Sequence, residues 1–395
     1  MSVLPPTSSV TPIPADAEVD LFNLENYDYT LPPEQVAAYP LAERDASRML
    51  LLDRHTGSYE NRQFRDIIEF LNPGDLMVLN NTQVLPARFF GHREGYEGKV
   101  EILLLHPALA TSQNEASPST PLAASSLVWH CLMRPYKKLA VGTRILLHPP
   151  SYQPQVSSTP VVMEVVAREG EGHGHVAIHL NETCPSIETL FEHYGHMPIP
   201  PYFNRPDEAI DKERYQTVFA KVPGAQAAPT ASLHFTPALL EAIRAKGVHI
   251  EEVTLSVGAG TFKPVTTEDI REHAMDAEAY VCPQQVVEAI QATKQRGNKV
   301  IAVGTTVMKT LETVAQAQGG LPTQAQQGWS HLFIYPGFHF QVVDVLLTNF
   351  HLPKSTLMML VSAFSSRQYV LQAYHHAVEA GYRFYSYGDC MLMHT

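Results

Sequence analysis

Six short segments, all beyond residue 195, carry the side chains with chemistry in them. APTASLHF (228–235) sets His234 beside Thr230 and Ser232, and EHAMDAE (272–278) groups His273 with Glu272, Asp276 and Glu278. TNFHLPKST (348–356) brings Asn349, His351, Lys354 and Ser355 into one loop, and YSYGDCM (385–391) puts Asp389 directly after Gly388. An imidazole titrates near neutral pH without much tuning, so His234 and His273 are candidates for moving a proton. Glu278 and Asp389 add carboxylates to two of these loops. Taken singly, each segment reads best as a satisfied polar loop; taken together, they point to a catalytic site.

The two remaining segments are rich in glycine and threonine. SVGAGTFKPV (256–265) contains Gly258 and Gly260, but Phe262, Lys263 and Pro264 follow where a dinucleotide-binding turn requires a third glycine and an immediate helix. Pro264 also turns Lys263 away from helical geometry. The segment is therefore no dinucleotide fingerprint, and an ordinary tight turn fits it as well as a turn that lets a ligand approach the backbone. VGTTVMKTLE (303–312) runs from an apolar strand through Gly304 to Thr305 and Thr306 at a helix start. The free N–H groups of a helix start can hold a carboxylate, a ribose hydroxyl or a phosphate, although a threonine cap is the commoner meaning of such a pattern.

These segments need a frame. Residues 236–247 and 283–297 read as helices ended by Gly247 and Gly297. Residues 248–258, 299–306, 333–336 and 342–350 read as strands, and further helices follow residues 355 and 368. The alternation predicts an α/β fold, a helix-covered, largely parallel sheet with ligand loops at the carboxyl ends of its strands. Before it, runs at 75–81, 87–93, 99–106, 127–135, 143–149, 160–168 and 175–180 read as strands without helices, which suggests a small barrel. The expected organisation is a disordered extension over 1–20, a discontinuous α/β catalytic domain over 21–56 and 183–395, and a β-barrel domain inserted over 57–182. Two low-complexity loops, 108–126 and 149–159, interrupt the barrel.

Bulk properties narrow the function. The 395 residues are 45% hydrophobic and 17% charged, with a net charge of −12. A non-specific nucleic-acid binder would be basic, so only a local basic patch is compatible with RNA. No apolar window is long enough to span a membrane, and the N-terminal residues lack the pattern of a secretory signal, which together predict a cytoplasmic protein. Cys131, Cys184, Cys282 and Cys390 are scattered without ligand spacing, so neither zinc nor a disulfide framework is signalled.

The same segments carry a family resemblance. YDYTLPPEQVAAYPLAERDASRMLLLDR (27–54), LNPGDLMVLNNTQVLPARFFGH (71–92), PPYFNRPDEAIDKERYQTVFAKVPGAQAAPTASLHF (200–235), VTLSVGAGTFKPV (253–265), VIAVGTTVMKTLE (300–312), FIYPGFHFQVVDVLLTNFHLPKSTLMMLVSAF (333–364) and GYRFYSYGDCML (381–392) run in family order. The chain resembles the S-adenosylmethionine:tRNA ribosyltransferase-isomerases of queuosine biosynthesis. It departs from the usual pattern at Asn81 and Gln83 (commonly Asp and Arg), Ser232 (Gly), Ser256 (His), Asp276 (His) and Lys309 (Arg).

The resemblance implies a transferase that moves and isomerises the ribosyl part of S-adenosylmethionine. The acceptor is the aminomethyl group of 7-aminomethyl-7-deazaguanine at the wobble position of a tRNA with a GUN anticodon. Epoxyqueuosine forms, and adenine and methionine leave. S-adenosylmethionine is a co-substrate, and no cofactor or metal is implied. His234, His273, Glu278 and Asp389 are the implied catalytic candidates. The implied substrate-binding candidates are Arg214, Tyr215, Thr230, Phe235, Gly258, Gly260, Thr261, Gly304, Thr305, Thr306, Asn349, His351, Lys354 and Ser355. Arg134, Lys137, Lys138 and Arg205 are candidates for tRNA. A monomer with no membrane partner is expected. The competing reading is a divergent paralog that uses S-adenosylmethionine or a related nucleoside with a non-tRNA acceptor, favoured by the departures at Gln83, Ser256 and Asp276.

Overall fold

The computed structural model describes residues 19–108, 128–153, 160–258 and 265–395. The expected disordered extension lies outside them except for residues 19 and 20, as does most of the 108–126 loop and part of the 149–159 loop.

The chain begins with β1 (Arg48–Asp53), β2 (Tyr59–Gln63), β3 (Leu76–Asn80) and β4 (Thr82–Val84). Six strands follow: β5 (Arg88–Arg93), β6 (Lys99–Pro107), β7 (Val128–Arg134), β8 (Arg144–His148), β9 (Val162–Gly170) and β10 (His173–His179). Next come α1 (Ile187–Tyr194), α2 (Ala209–Arg214), β11 (Val222–Ala225), α3 (Pro237–Ala245), β12 (His249–Leu255), β13 (Glu278–Cys282) and α4 (Gln284–Gln295). The chain ends with β14 (Val300–Val303), α5 (Thr305–Gln318), β15 (Gln326–Ser330), β16 (Val345–Asn349), α6 (Thr356–Phe364), α7 (Arg367–Glu379) and β17 (Cys390–His394).

One nine-stranded sheet, ordered β15-β13-β12-β3-β14-β16-β17-β1-β2, forms the centre. Its four middle strands, β12, β3, β14 and β16, are parallel, while β13, β15, β17 and β2 each pair antiparallel with a neighbour. Every residue of β3, β14 and β16 is buried, as a strand covered on both faces must be. Alternation divides each strand between two cores. Leu50, Leu52, Leu76, Val78 and Leu346 pack on the face covered by α4 to α7, and Met49, Leu51, Met77, Leu79 and Leu347 pack on the face covered by α3 and the 3-10 turn at 64–70. Helix α5 buries Val307, Met308, Leu311, Val314 and Ala315, a stripe at helical spacing. It stops where Gly319, at φ 71°, takes the left-handed conformation and its N–H bonds back to the last turn.

Strands β5 to β10 close into an antiparallel barrel in the order β10-β7-β6-β5-β8-β9. Its walls alternate buried and half-buried residues, and Phe89, Ile102, Trp129, Met133, Ile145, Met163 and Val176 fill it. The strand at 75–81, grouped with the barrel from its sequence, belongs instead to the central sheet. β3 pairs with β12 and β14, strands that come roughly 170 and 220 residues later. β2 is likewise a strand of the central sheet rather than of the barrel. The run at 333–336 is not a strand; the edge strand there is β15, whose Gln-Gln-Gly-Trp-Ser sequence carries little apolar signal.

Candidate active site

The carboxyl ends of β12, β14 and β16 open on one edge of the sheet. Because β17 runs antiparallel to β16, with Asn349 opposite Cys390, the loop that precedes β17 reaches the same edge. β1 is parallel to β17, so Ser47 arrives there too. The result is a cleft of about 680 Å³ walled by residues 227–231, Val257, 304–306, 348–352, Ser355, Leu357, Tyr385 and Ser386. None of these side chains carries a fixed charge.

Of the predicted residues, Thr230, Gly304, Thr305, Thr306, Asn349, His351 and Ser355 meet in this cleft. Gly304 adopts φ 92°, which a side chain would strain, and it ends β14 by donating its N–H to the Leu347 carbonyl at 2.8 Å. It has no side chain to cap α5, so the first N–H groups of that helix face the cleft without one. Ser355 caps α6, its Oγ accepting from the Met358 N–H at 3.2 Å. His351 is buried, and its Nε2 lies 2.8 Å from Thr348 Oγ1. Burial drives its pKa down to about 3, so the ring is neutral at working pH.

His234 lies behind the wall, not in it. Its Nε2 is 2.9 Å from Asn349 Oδ1, and its Nδ1 is 3.0 Å from Ser47 Oγ. Burial lowers its pKa, against the opposing pull of the Asn349 bond. Glu278 forms a buried ion pair with Lys309 (2.6 Å), and its other oxygen accepts the Gly258 N–H at 3.4 Å. The pair thus holds the end of the 256–258 segment against α5.

Other candidates are placed elsewhere. Asp389 is buried with both oxygens engaged, accepting from the backbone N–H groups of Arg48 and Arg383 at 2.8 Å each. It fastens the loop to the start of β1 and does not line the cleft. Lys354 turns outward to Glu25 (2.7 Å) and Asp28 (3.2 Å), pinning the N-terminal segment. His273 packs edge-on against Phe333, away from the cleft lining. Phe235 and Tyr215 are fully buried, Phe235 stacking edge-on against Phe64, so both are core residues. Arg214 lines a second pocket. Gly258 is at the cleft's margin through Val257, while Gly260 and Thr261 lie outside the described residues.

For the RNA candidates, Arg134, Lys137 and Lys138 are exposed on the barrel. Arg205 is not free for RNA. It makes a bidentate pair with Asp211 (2.7 and 2.8 Å) and lies 4.2 Å over the ring of Tyr39. Sequence reasoning missed Asn80, Thr348, Tyr385 and Ser386. Asn80 bridges two cleft loops, donating to the Leu255 carbonyl (3.0 Å) and to Thr306 Oγ1 (3.3 Å). Among the described residues no group of three or more His, Cys, Asp or Glu is arranged to hold a metal ion.

The fold is a mixed α/β sheet with an appended closed barrel, and its strand ends open on an uncharged, hydroxyl-lined cleft. Comparison with known proteins gives the family. The sequence profile described as "Queuosine biosynthesis protein" matches residues 24–393. A protein of Moorella thermoacetica named S-adenosylmethionine:tRNA ribosyltransferase-isomerase is 44% identical over 374 residues, covering 94% of this chain and 99% of its own length. One of the same name from Trichlorobacter lovleyi is 44% identical over 370 residues, with the same coverage. A crystal structure of S-adenosylmethionine tRNA ribosyltransferase from Thermotoga maritima, 36% identical, covers 93% of this chain and 99% of its own at a TM-score of 0.49. The chain belongs to the S-adenosylmethionine:tRNA ribosyltransferase-isomerase family of queuosine biosynthesis.

Proposed function

We propose that the cleft binds S-adenosylmethionine and that this enzyme transfers and isomerises its ribosyl group onto 7-aminomethyl-7-deazaguanine in a tRNA with a GUN anticodon, in the cytoplasm and as a monomer. The observation that carries the reading is the convergence of Thr230, the uncapped start of α5, Asn349, His351 and Ser355 on one uncharged cleft. The start of α5, with Thr305 and Thr306, suits the methionine carboxylate or the ribose hydroxyls. A neutral His351 offers a hydrogen bond without setting a second positive charge beside the sulfonium. His234 acts through Asn349, as a positioning residue. The acceptor sits in a single-stranded loop, which proteins read by stacking and edge contacts, so an acidic protein needs only a local cationic patch. Arg134, Lys137 and Lys138 are the exposed candidates for it.

Adenine release from S-adenosylmethionine, followed with and without tRNA carrying the deazaguanine base, tests the reading. Release only with that tRNA is expected. Release without tRNA would instead mark a nucleoside enzyme with a different acceptor, and no release in either case would mark a protein without this activity. Replacing Lys137 and Lys138 by glutamine should flatten the salt dependence of tRNA binding by about one to two in log–log slope.

A further inference from the structure

Behind Asn349, on the side of His234, lies a second pocket, of about 270 Å³. It shares Ser386 with the cleft, and its lining includes Arg44, Arg214, Glu43, Ser47 and His234. Two arginines therefore face one small space. Three other cations near the sheet edge have acidic partners: Arg48 has Asp389, Arg205 has Asp211 and Lys309 has Glu278. Arg44 and Arg214 have only carbonyls. Arg44 donates to the Leu233 carbonyl (3.1 Å) and the Glu213 carbonyl (2.9 Å), and Arg214 donates to the Ala42 carbonyl (3.2 Å).

Each guanidinium has five N–H donors, so most of this capacity is unused. The Nε of Arg214 is enclosed and has no hydrogen-bond partner at all. Burial and the repulsion of Arg214 also lower the pKa of Arg44, with Glu213 opposing. Two adjacent, partly desolvated cations without an ion-paired carboxylate raise the energy of the unliganded protein, and an anion between them relieves that cost. Glu43, the acidic residue of the lining, is exposed and turned to Arg65 at 3.2 Å.

We infer that the Arg44–Arg214 pocket is an oxyanion subsite that takes a backbone phosphate of the acceptor RNA, next to the nucleotide presented at the cleft. The planar forks of two arginines match a phosphate's oxygens, which a lysine pair would not do as well. The inference rests on the reading of the cleft as the nucleoside site. The same charge arrangement would also accept the carboxylate of the co-substrate, so the test must separate the two sources.

Steady-state adenine release is measured with RNA varied at saturating S-adenosylmethionine, and then the reverse, for the wild type and two variants. Arg214→Gln is expected to raise the KM for RNA about tenfold, the loss of one charge-assisted phosphate contact, with the KM for S-adenosylmethionine within about twofold of wild type. Glu43→Gln is expected to lower the KM for RNA by about twofold to threefold, because it removes a repulsive charge at the pocket mouth. A misfolded variant cannot mimic that gain. A rise confined to the KM for S-adenosylmethionine, or unchanged KM values for RNA in both variants, overturns the inference. Absence of RNA-dependent release in the wild type overturns the underlying reading instead, so the two failures are distinguishable.

Discussion

His234 and Asn349 are joined at 2.9 Å, and the direction of that bond is fixed by what lies beyond it. The amide nitrogen of Asn349 donates to the carbonyls of Tyr385 (2.9 Å) and Ser386 (3.3 Å), so its oxygen must face the imidazole. His234 therefore carries its proton on Nε2, and the Ser47 hydroxyl supplies a proton to Nδ1. Imidazole nitrogen spectra at pH 8 should show the Nε2–H tautomer. The Nδ1–H tautomer would contradict the arrangement. Asn349→Asp sets a carboxylate against Nε2 and should raise the His234 pKa by about one unit or more.

His351 makes stability depend on pH. Burial lowers its pKa from 6.5 to about 3, so the fold excludes a proton that the unfolded chain binds readily. The sign follows. Above pH 6.5 both states are neutral at this residue and nothing is lost; as pH falls below 6.5 the unfolded chain gains a proton first, and stability declines down to the folded value. At pH 5.5 this group alone should cost about 1.4 kcal/mol. Urea midpoints of the wild type and His351→Gln between pH 7.5 and 5 measure it: the variant's profile should be flatter by about one proton, and parallel profiles would refute the assignment.

Glu278 and Lys309 are nine-tenths buried and 2.6 Å apart, so each is the other's counter-charge. Glu278→Gln leaves a buried ammonium without its carboxylate and should cost about 3 kcal/mol, as should Lys309→Met. The double variant should cost clearly less than the sum, because neither charge remains. Chemical denaturation of the four proteins gives the coupling; strict additivity would show that the two side chains do not act as a pair. Loosening the Gly258 N–H from Glu278 should also raise the KM for S-adenosylmethionine in Glu278→Gln.

What was legible in the sequence followed local physics. The continuous apolar runs of β14 and β16 and the glycine stops of α3 and α4 announce themselves because burial on both faces and left-handed caps need particular residues. The partners of β3 do not, since pairing with strands far along the chain leaves no mark on Leu76–Asn80 itself. The polar loops after β14 and β16 were readable as site loops. Tyr385 and Ser386 were not, because they reach the cleft only through the reversed direction of β17, and Ser47 comes up behind them only through the parallel pairing of β1 with β17. Nor could sequence tell a histidine in the cleft from one behind its wall, a difference of one side-chain layer at His351 and His234.

Tyr385 offers the last test. It sits at φ 71° in the cleft wall, a left-handed conformation that costs a non-glycine residue about 1 kcal/mol or more. Its N–H donates to the Phe350 carbonyl (3.2 Å), and its own carbonyl accepts from Asn349 and from the Gly388 N–H (3.0 Å), so the conformation is held from both sides. Strain of this kind persists where the surroundings over-determine it, and it gathers at functional sites. Replacing the residue by alanine and by glycine removes the ring in both cases and isolates the backbone term. Glycine should be the more stable of the two by about 1 kcal/mol, the reverse of the order found at ordinary positions, where alanine is favoured. Both variants should bind S-adenosylmethionine more weakly, as both open the same wall. If alanine proves the more stable in denaturant titrations, the backbone at 385 is not strained, and the loop holds Asn349 by its packing alone.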